Sequence, residues 1–310
     1  MKRLNLSPGF ANLRYDLPAS LVVFLVALPL CLGVAVASGV PAFSGIIAGA
    51  VGGIIIGMIS GSQLSVSGPA AGLTVIVLSA VQELPSFEVF LLAVFLSGIL
   101  QLLLGILKAG VIGDFIPSAV IRGMLAAIGL ILILKQIPHA VGYDKDYEGD
   151  FTFSQNDGEN TFSELWHLAN ELLSPGTMII ALLSLILLNG WDHKKIKSHP
   201  FLQYIPGPLL VVLLGIFTNQ MYTDYFPALK IAPEHLVNFP VAGDASAFLS
   251  QFTTPDFSYI GNPEVWTIAF TLAIVASVET LLSIEAVDKI DPFKRVSPTN
   301  RELLAQGAGN

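Results

Sequence analysis

Apolar residues run along this chain in long blocks, and polar residues are confined to the stretches between them. The blocks lie near 17–38, 41–60, 69–82, 87–107, 117–137, 175–191, 207–221 and 264–286. A helix needs about 20 apolar residues to cross the hydrocarbon of a bilayer. Backbone that faces lipid must satisfy its own polar groups, which helices do internally. The blocks therefore predict eight helical membrane segments, the third of them too short to span alone. Polar stretches near 140–174 and 222–262, rich in Asp, Asn, Ser and Pro, predict ordered loops or short surface helices. Pro41, Pro117, Pro206 with Pro208, and Pro263 mark helix starts. In the second segment Gly45, Gly49, Gly52, Gly53 and Gly57 recur every three or four residues, a stripe that permits close backbone approach.

Composition agrees with lipid as the main solvent. The 310 residues are 53% hydrophobic and 12% charged, against about 25% charged in ordinary soluble domains, and the mean hydropathy is +0.71. The net charge of −8 is gathered largely between Asp144 and Glu171 and describes a loop, not a partner. No basic, aromatic-laced face is present to hold nucleic acid. The lone Cys31 excludes an intrachain disulfide and a cysteine-based zinc site. His139, His167, His193, His199 and His235 lack metal-ligand spacing, so no catalytic residues are assigned and an enzyme is not expected.

The block from Leu17 to Ala37 is too long for a signal-peptide core and is read as a retained span. Basic residues set the orientation. With residues 1–16 in the cytoplasm, Lys108, Lys194, Lys195, Lys197, Lys289, Lys294, Arg295 and Arg301 fall on the same side as Lys2, Arg3 and Arg14. The acidic 140–174 loop then lies outside. Arg122, just inside a helix start, reads as a snorkelling anchor, and Glu285 and Asp288 beside Lys289 read as a solvated rim.

Two segments carry the candidate chemistry. Ser62-Gln63-Leu64-Ser65-Val66-Ser67-Gly68-Pro69-Ala70-Ala71-Gly72-Leu73-Thr74 cannot continue the helix before it, so extended polar backbone is expected, with a new helix from about Pro69. Irregular backbone at membrane depth is tolerated where protein buries it or a wet cavity lies beside it. A helix N-terminus there offers unpaired N–H groups and positive potential, which an anion can use where no basic side chain is at hand. In the eighth segment Glu279 lies about 15 residues along, roughly 22 Å into the helix. A carboxylate at that depth costs at least about 2.5–3.5 kcal/mol. A proton, a bound cation or a facing helix end would compensate it, and Ser283 shares its face. The first span carries Pro29-Leu30-Cys31 at its middle, where proline removes one helical hydrogen bond and kinks the axis.

These residues resemble the SulP family of sulfate and bicarbonate transporters. The likeness rests on Tyr15-Asp16-Leu17-Pro18-Ala19, on Ser67 to Thr74, on Glu279, and on the closing Asn300-Arg301-Glu302-Leu303-Leu304-Ala305-Gln306-Gly307-Ala308-Gly309-Asn310. It implies an all-α polytopic membrane protein with two inverted repeats of seven segments, divided into core and gate domains. The chain then holds the first repeat and the first helix of the second. On that plan 17–139 carries core segments 1–4 and the start of the gate domain, and 140–174 is an extracytoplasmic loop. Gate segments 6–7 fall in 175–221, a second extracytoplasmic loop in 222–262 and core segment 8 in 263–287, while 288–310 is a cytoplasmic end before segments 9–14. The resemblance further implies an anion seat at Ser67, Gly68, Pro69, Ala70, Ala71 and Gly72, facing a tenth segment that lies beyond Asn310. It implies a Na⁺ or H⁺ site at Glu279 and Ser283, a cavity wall at Pro29, Leu30 and Cys31, and no other cofactor. Bicarbonate-carrying members differ in having Asp at the Glu279 position and a hydroxyl residue near Ala70.

The expected function is secondary active transport of a small inorganic oxyanion, sulfate or bicarbonate, by symport in the inner (plasma) membrane, with homodimers expected of the full-length protein. An anion channel on the same scaffold and a nucleobase-type permease are the alternatives. Saturable, gradient-coupled uptake separates a carrier from a channel, and competition by uracil separates the permease.

Overall fold

The structure is a computed structural model that describes residues 13–115, 117–143, 160–168, 174–191, 193, 196, 202, 205–232, 236 and 243–310. Among them the regular elements are helices. These are α1 (Leu13–Ala37), α2 (Ala42–Ile59), α3 (Thr74–Glu83), α4 (Phe87–Ile106), α5 (Ser118–Val141), α6 (Thr161–His167), α7 (Pro175–Trp191), α8 (Gly207–Tyr225), α9 (Ala245–Leu249), α10 (Pro263–Ile290) and α11 (Thr299–Gly309). Short 3-10 turns at Ala71–Leu73, Ala109–Phe115, Pro227–Leu229 and Phe257–Tyr259 join several of them. Each of the eight apolar blocks falls on a helix, and the predicted surface helices between blocks appear as α6 and α9.

Among the described residues, α1 from Tyr15, α2, α4 and α10 are long and apolar enough to cross a membrane. Their outer faces carry large bare hydrophobics such as Phe24, Met58, Leu103 and Ile274. So much exposed apolar surface on a soluble protein would drive association. Lipid is its natural solvent, and the chain is an integral, multi-pass membrane protein.

By packing, the chain divides into two compact units. In one, α7 and α8 lie together, with Gly176 so close to the Leu229 carbonyl that no side chain would fit. The end of α5 closes on a left-handed Gly142 (φ 82°), where the Tyr143 N–H returns to the Pro138 carbonyl at 3.0 Å. This is the six-to-one bond of a glycine-terminated helix.

The second unit is built around α4. Leu92 and Ala93 are fully buried, and with Val89, Phe90 and Leu96 they form one core with Val265, Ile268, Ala269 and Leu272 of α10. The other side of α4 is lined with small residues and accepts α11. Gly98 faces the Gly307 carbonyl and Asn310, and Gly105 faces Leu304. Small residues on both helices let the backbones approach, as dispersion-driven packing in lipid requires. The stretch 288–310, expected as a cytoplasmic end, thus includes a helix with Glu302, Leu303 and Ala305 buried.

The α1–α2 corner turns on Gly39 (φ 69°), with the Val40 N–H bonded to the Ala35 carbonyl at 3.1 Å. This folds α2 back along the second half of α1. Gly45 then meets the Cys31 carbonyl, and Gly49 meets the Cys31 sulfur. The predicted stripe is used at Gly45, Gly49 and Gly52, while a side chain at Gly53 would meet nothing within 4 Å.

Candidate binding site

The helix carried by α2 changes character before it stops. Residues Gly52–Ile56 widen into a π-helical turn, a feature frequent at functional sites, and the helix ends at Ser60. From Ser60 to Ala70 no helix forms. Pro69 supplies no N–H and keeps Gly68 out of helical geometry, and Ala70 is extended at φ −95°, ψ 115°. Helix resumes at Ala71, two residues later than the sequence indicates, as one 3-10 turn that passes into α3.

That first turn has no capping side chain of its own. The group that approaches it is the Glu279 carboxylate of α10. A β-carbon at Gly72 would lie 2.8 Å from Glu279 Oε1, and the Gly72 backbone N–H is directed at the carboxylate. Only glycine leaves room for this approach. The positive end of the turn stabilises the acid at a depth where it would otherwise be costly.

Beside this contact lies a cavity of about 440 Å³, inside the roughly 300–1,000 Å³ range of small-molecule sites. Its walls include Ser67, Gly68, Pro69, Ala70 and Ala71 from the extended segment, Leu30 from α1, and Glu279, Thr280 and Ser283 from α10. Most of the expected residues thus share one cavity. Gly72 stands behind it against Glu279, and Cys31 is buried between α2 and Gly68, its sulfur 3.9 Å from where a Gly68 β-carbon would be. Pro29 does not line it, and α1 runs unbroken through that proline. Arg122 is exposed on α5, and His167, His199 and His235 have no described side chain.

Among the described residues, no lysine, arginine or histidine lines the cavity. Its charged side chains are Glu279 and Glu302, both acidic. An anion held there must be served by backbone N–H groups and hydroxyls, and a cation beside Glu279 would offset the like charge.

Glu302 was not singled out from the sequence. Its Oε1 accepts the Gly61 N–H at 2.6 Å and the Ser62 N–H at 2.9 Å, and its two oxygens lie 2.7 and 2.9 Å from the Ser60 hydroxyl. One turn on, Gln306 Nε2 donates to Ser67 Oγ at 2.9 Å, and Asn310 Nδ2 donates to the fully buried Gln101 at 2.6 Å. The four-residue spacing of Glu302, Gln306 and Asn310 places them on one helical face, a signal present in the closing motif.

At the end of α10 the acidic residues are less free than a solvated rim implies. Asp288 accepts the Ser297 N–H and hydroxyl, both at 2.7 Å, and Glu285 pairs with Lys289 at 3.2 Å. Arg295 joins Asp291 at 2.7 Å and also reaches Gln63. The Arg295 hydrogen bond, with the Phe293 and Arg295 backbone N–H groups, holds the Asp291 carboxyl well below the usual carboxylate range. A depressed acid contributes stability above its unfolded pKa, about 3.9, and loses it only as pH falls through the lower folded value. The amide protection factors across 291–297, corrected for the pH dependence of intrinsic exchange, are therefore expected to stay constant from pH 7 to pH 5. Asp291→Asn is expected to speed tryptic cleavage at Arg295 by freeing the guanidinium. A wild-type loop that opens between pH 7 and pH 5 would contradict this.

The profile of the sulfate permease family matches residues 13–310. The chain belongs to the sulfate permease family. Among its relatives, the putative sulfate transporter YvdB of Bacillus subtilis is 26% identical over 298 residues, 95% of this chain and 51% of that protein. The bicarbonate transporter BicA of Picosynechococcus sp. is 24% identical over 311 residues, 97% of this chain and 50% of that protein. The solved transmembrane domain of a cyanobacterium bicarbonate transporter BicA superposes with a TM-score of 0.59 at 23% identity, covering 97% of this chain and 71% of that one. That likeness establishes a shared fold. The chain spans about half the length of the curated relatives it matches.

Proposed function

We propose that this chain forms part of a secondary active transporter for a small inorganic oxyanion, sulfate or bicarbonate. The anion is held by the N–H groups and hydroxyls of residues 67–72, and transport proceeds by alternating access between a core and a gate domain. Movement of the anion is coupled to Na⁺ or H⁺ at Glu279, with Ser283 as an accessory oxygen. The working protein is a homodimer in the inner membrane with a cytoplasmic N-terminus. The observation that carries this reading is the Glu279–Gly72 contact. An acidic side chain stands at an uncapped helix start, beside a cavity that no basic side chain lines among the described residues. Proximity of that kind lets a cation on the acid favour an anion on the amides, because each ligand reduces the repulsion or exposure left by the other. Support also comes from the sulfate and bicarbonate transporters among the relatives.

Uptake of radiolabelled sulfate and bicarbonate into vesicles, with a Na⁺ gradient, a proton gradient and neither, tests the reading. Saturable accumulation that needs a cation gradient and is unaffected by excess uracil is expected. Large uncoupled conductance, or uptake that uracil blocks and sulfate does not, would overturn it.

A further inference from the structure

The backbone of the extended wall belongs to no helix or sheet. Irregular backbone within a membrane protein persists only where other groups take up its N–H and C=O. Helix α11 does this with side chains from its first two turns. Arg301 Nε donates to the Ile59 carbonyl at 2.5 Å, where α2 leaves its last carbonyls open. Glu302 then accepts from the Ser60 hydroxyl and from the N–H groups of Gly61 and Ser62. Gln306 completes the set at Ser67, the residue next to Gly68.

The geometry assigns α11 as the splint of this wall, with Glu302 as a positioning residue that fixes where the anion-binding backbone stands. Glu302 is 2% exposed. The two acids of the cavity thus differ in kind. Glu302 is saturated by three donors from one neighbouring stretch, whereas Glu279 meets a single amide at the far wall. The positioning role rests on the oxyanion reading given above, but the contacts themselves do not.

Cys31 provides a reporter, because it is the chain's one cysteine and its buried sulfur sits against Gly68. The measurement is the rate of Cys31 alkylation by N-ethylmaleimide in nanodisc-held chain, with helicity followed in parallel. Glu302→Ala releases three donors and is expected to speed alkylation by about tenfold or more, since buried groups left unpaired favour opening. Glu302→Asp, one methylene shorter, is expected to behave similarly. Glu302→Gln keeps an oxygen in the Oε1 place for Gly61 and Ser62 and is expected to stay within about threefold of wild type. That rescue would not occur if any change at a buried site loosened the unit. Should the alanine variant fail to fold, Gln306→Ala removes only the Ser67 bond and must itself accelerate alkylation. Wild-type rates in folded Glu302→Ala, or in Gln306→Ala where the former does not fold, overturn the proposal. Sulfate in the wild-type reaction tests the other reading separately. If neither sulfate nor, in a parallel reaction, bicarbonate gives protection, the oxyanion assignment fails while the order of the variant rates still decides the splint.

Discussion

Gly52→Val is expected to destabilise the unit built on α4 by about 3 kcal/mol or more, the upper part of the range for forcing atoms into a filled interior. A β-carbon at Gly52 collides with the Ser67 carbonyl oxygen and stands 2.6 Å from the Ser67 carbonyl carbon and 3.0 Å from the Gly68 nitrogen. These are backbone atoms, so no rotamer change relieves the clash. Nor can the extended segment retreat, because Ser67 is held from the other side by Gln306 on α11. The helix cannot retreat either, since Gly45 and Gly49 are already seated on Cys31. Gly53→Val is the control, as that position is open for 4 Å and the π-turn is otherwise the same. Equilibrium unfolding of both variants in mixed micelles decides the matter: equal midpoints would show that α2 and the extended wall are not in contact as described.

The helical fold was legible because its signal is long and strong. Eight apolar blocks with proline at their starts leave little choice of secondary structure in lipid. The break after α2 was legible for the same kind of reason, since Gly68-Pro69 and three serines oppose a helix whatever surrounds them. Its resumption at Ala71 instead of Pro69 reflects Ala70, held extended, and no local rule marks that residue. The pairing of Glu279 with Gly72 was less accessible: depth along a helix showed that the acid needed a partner, but not which one. Contacts across more than 200 residues decide that, through the packing of α10 on α4. The role of α11 was hidden by composition. Thr299–Gly309 is polar enough to read as a tail, and its Glu302, Gln306 and Asn310 stripe gains meaning only when small residues on α4 admit it to the interior.

Glu279→Gln is expected to abolish the cation dependence of anion uptake, lowering gradient-driven accumulation by about tenfold or more, within the usual 5–150-fold span of coupling between two sites. The substitution is nearly isosteric, and an amide oxygen can still accept the Gly72 N–H, so the helix start and the cavity keep their shape. What disappears is the negative charge, and with it the means to bind Na⁺ or carry a proton. Gly72→Ala makes the complementary change. Its β-carbon lies 2.8 Å from Oε1 and 3.1 Å from the carboxyl carbon, so the end of the Glu279 side chain must swing away while its charge remains. That variant is expected to keep cation dependence with altered cation affinity, whereas the glutamine variant loses the dependence at unchanged expression and folding. The two outcomes separate charge from geometry. Uptake that still follows the cation gradient in Glu279→Gln would place the coupling ion elsewhere, and the acid would then serve only to cap the turn at Gly72.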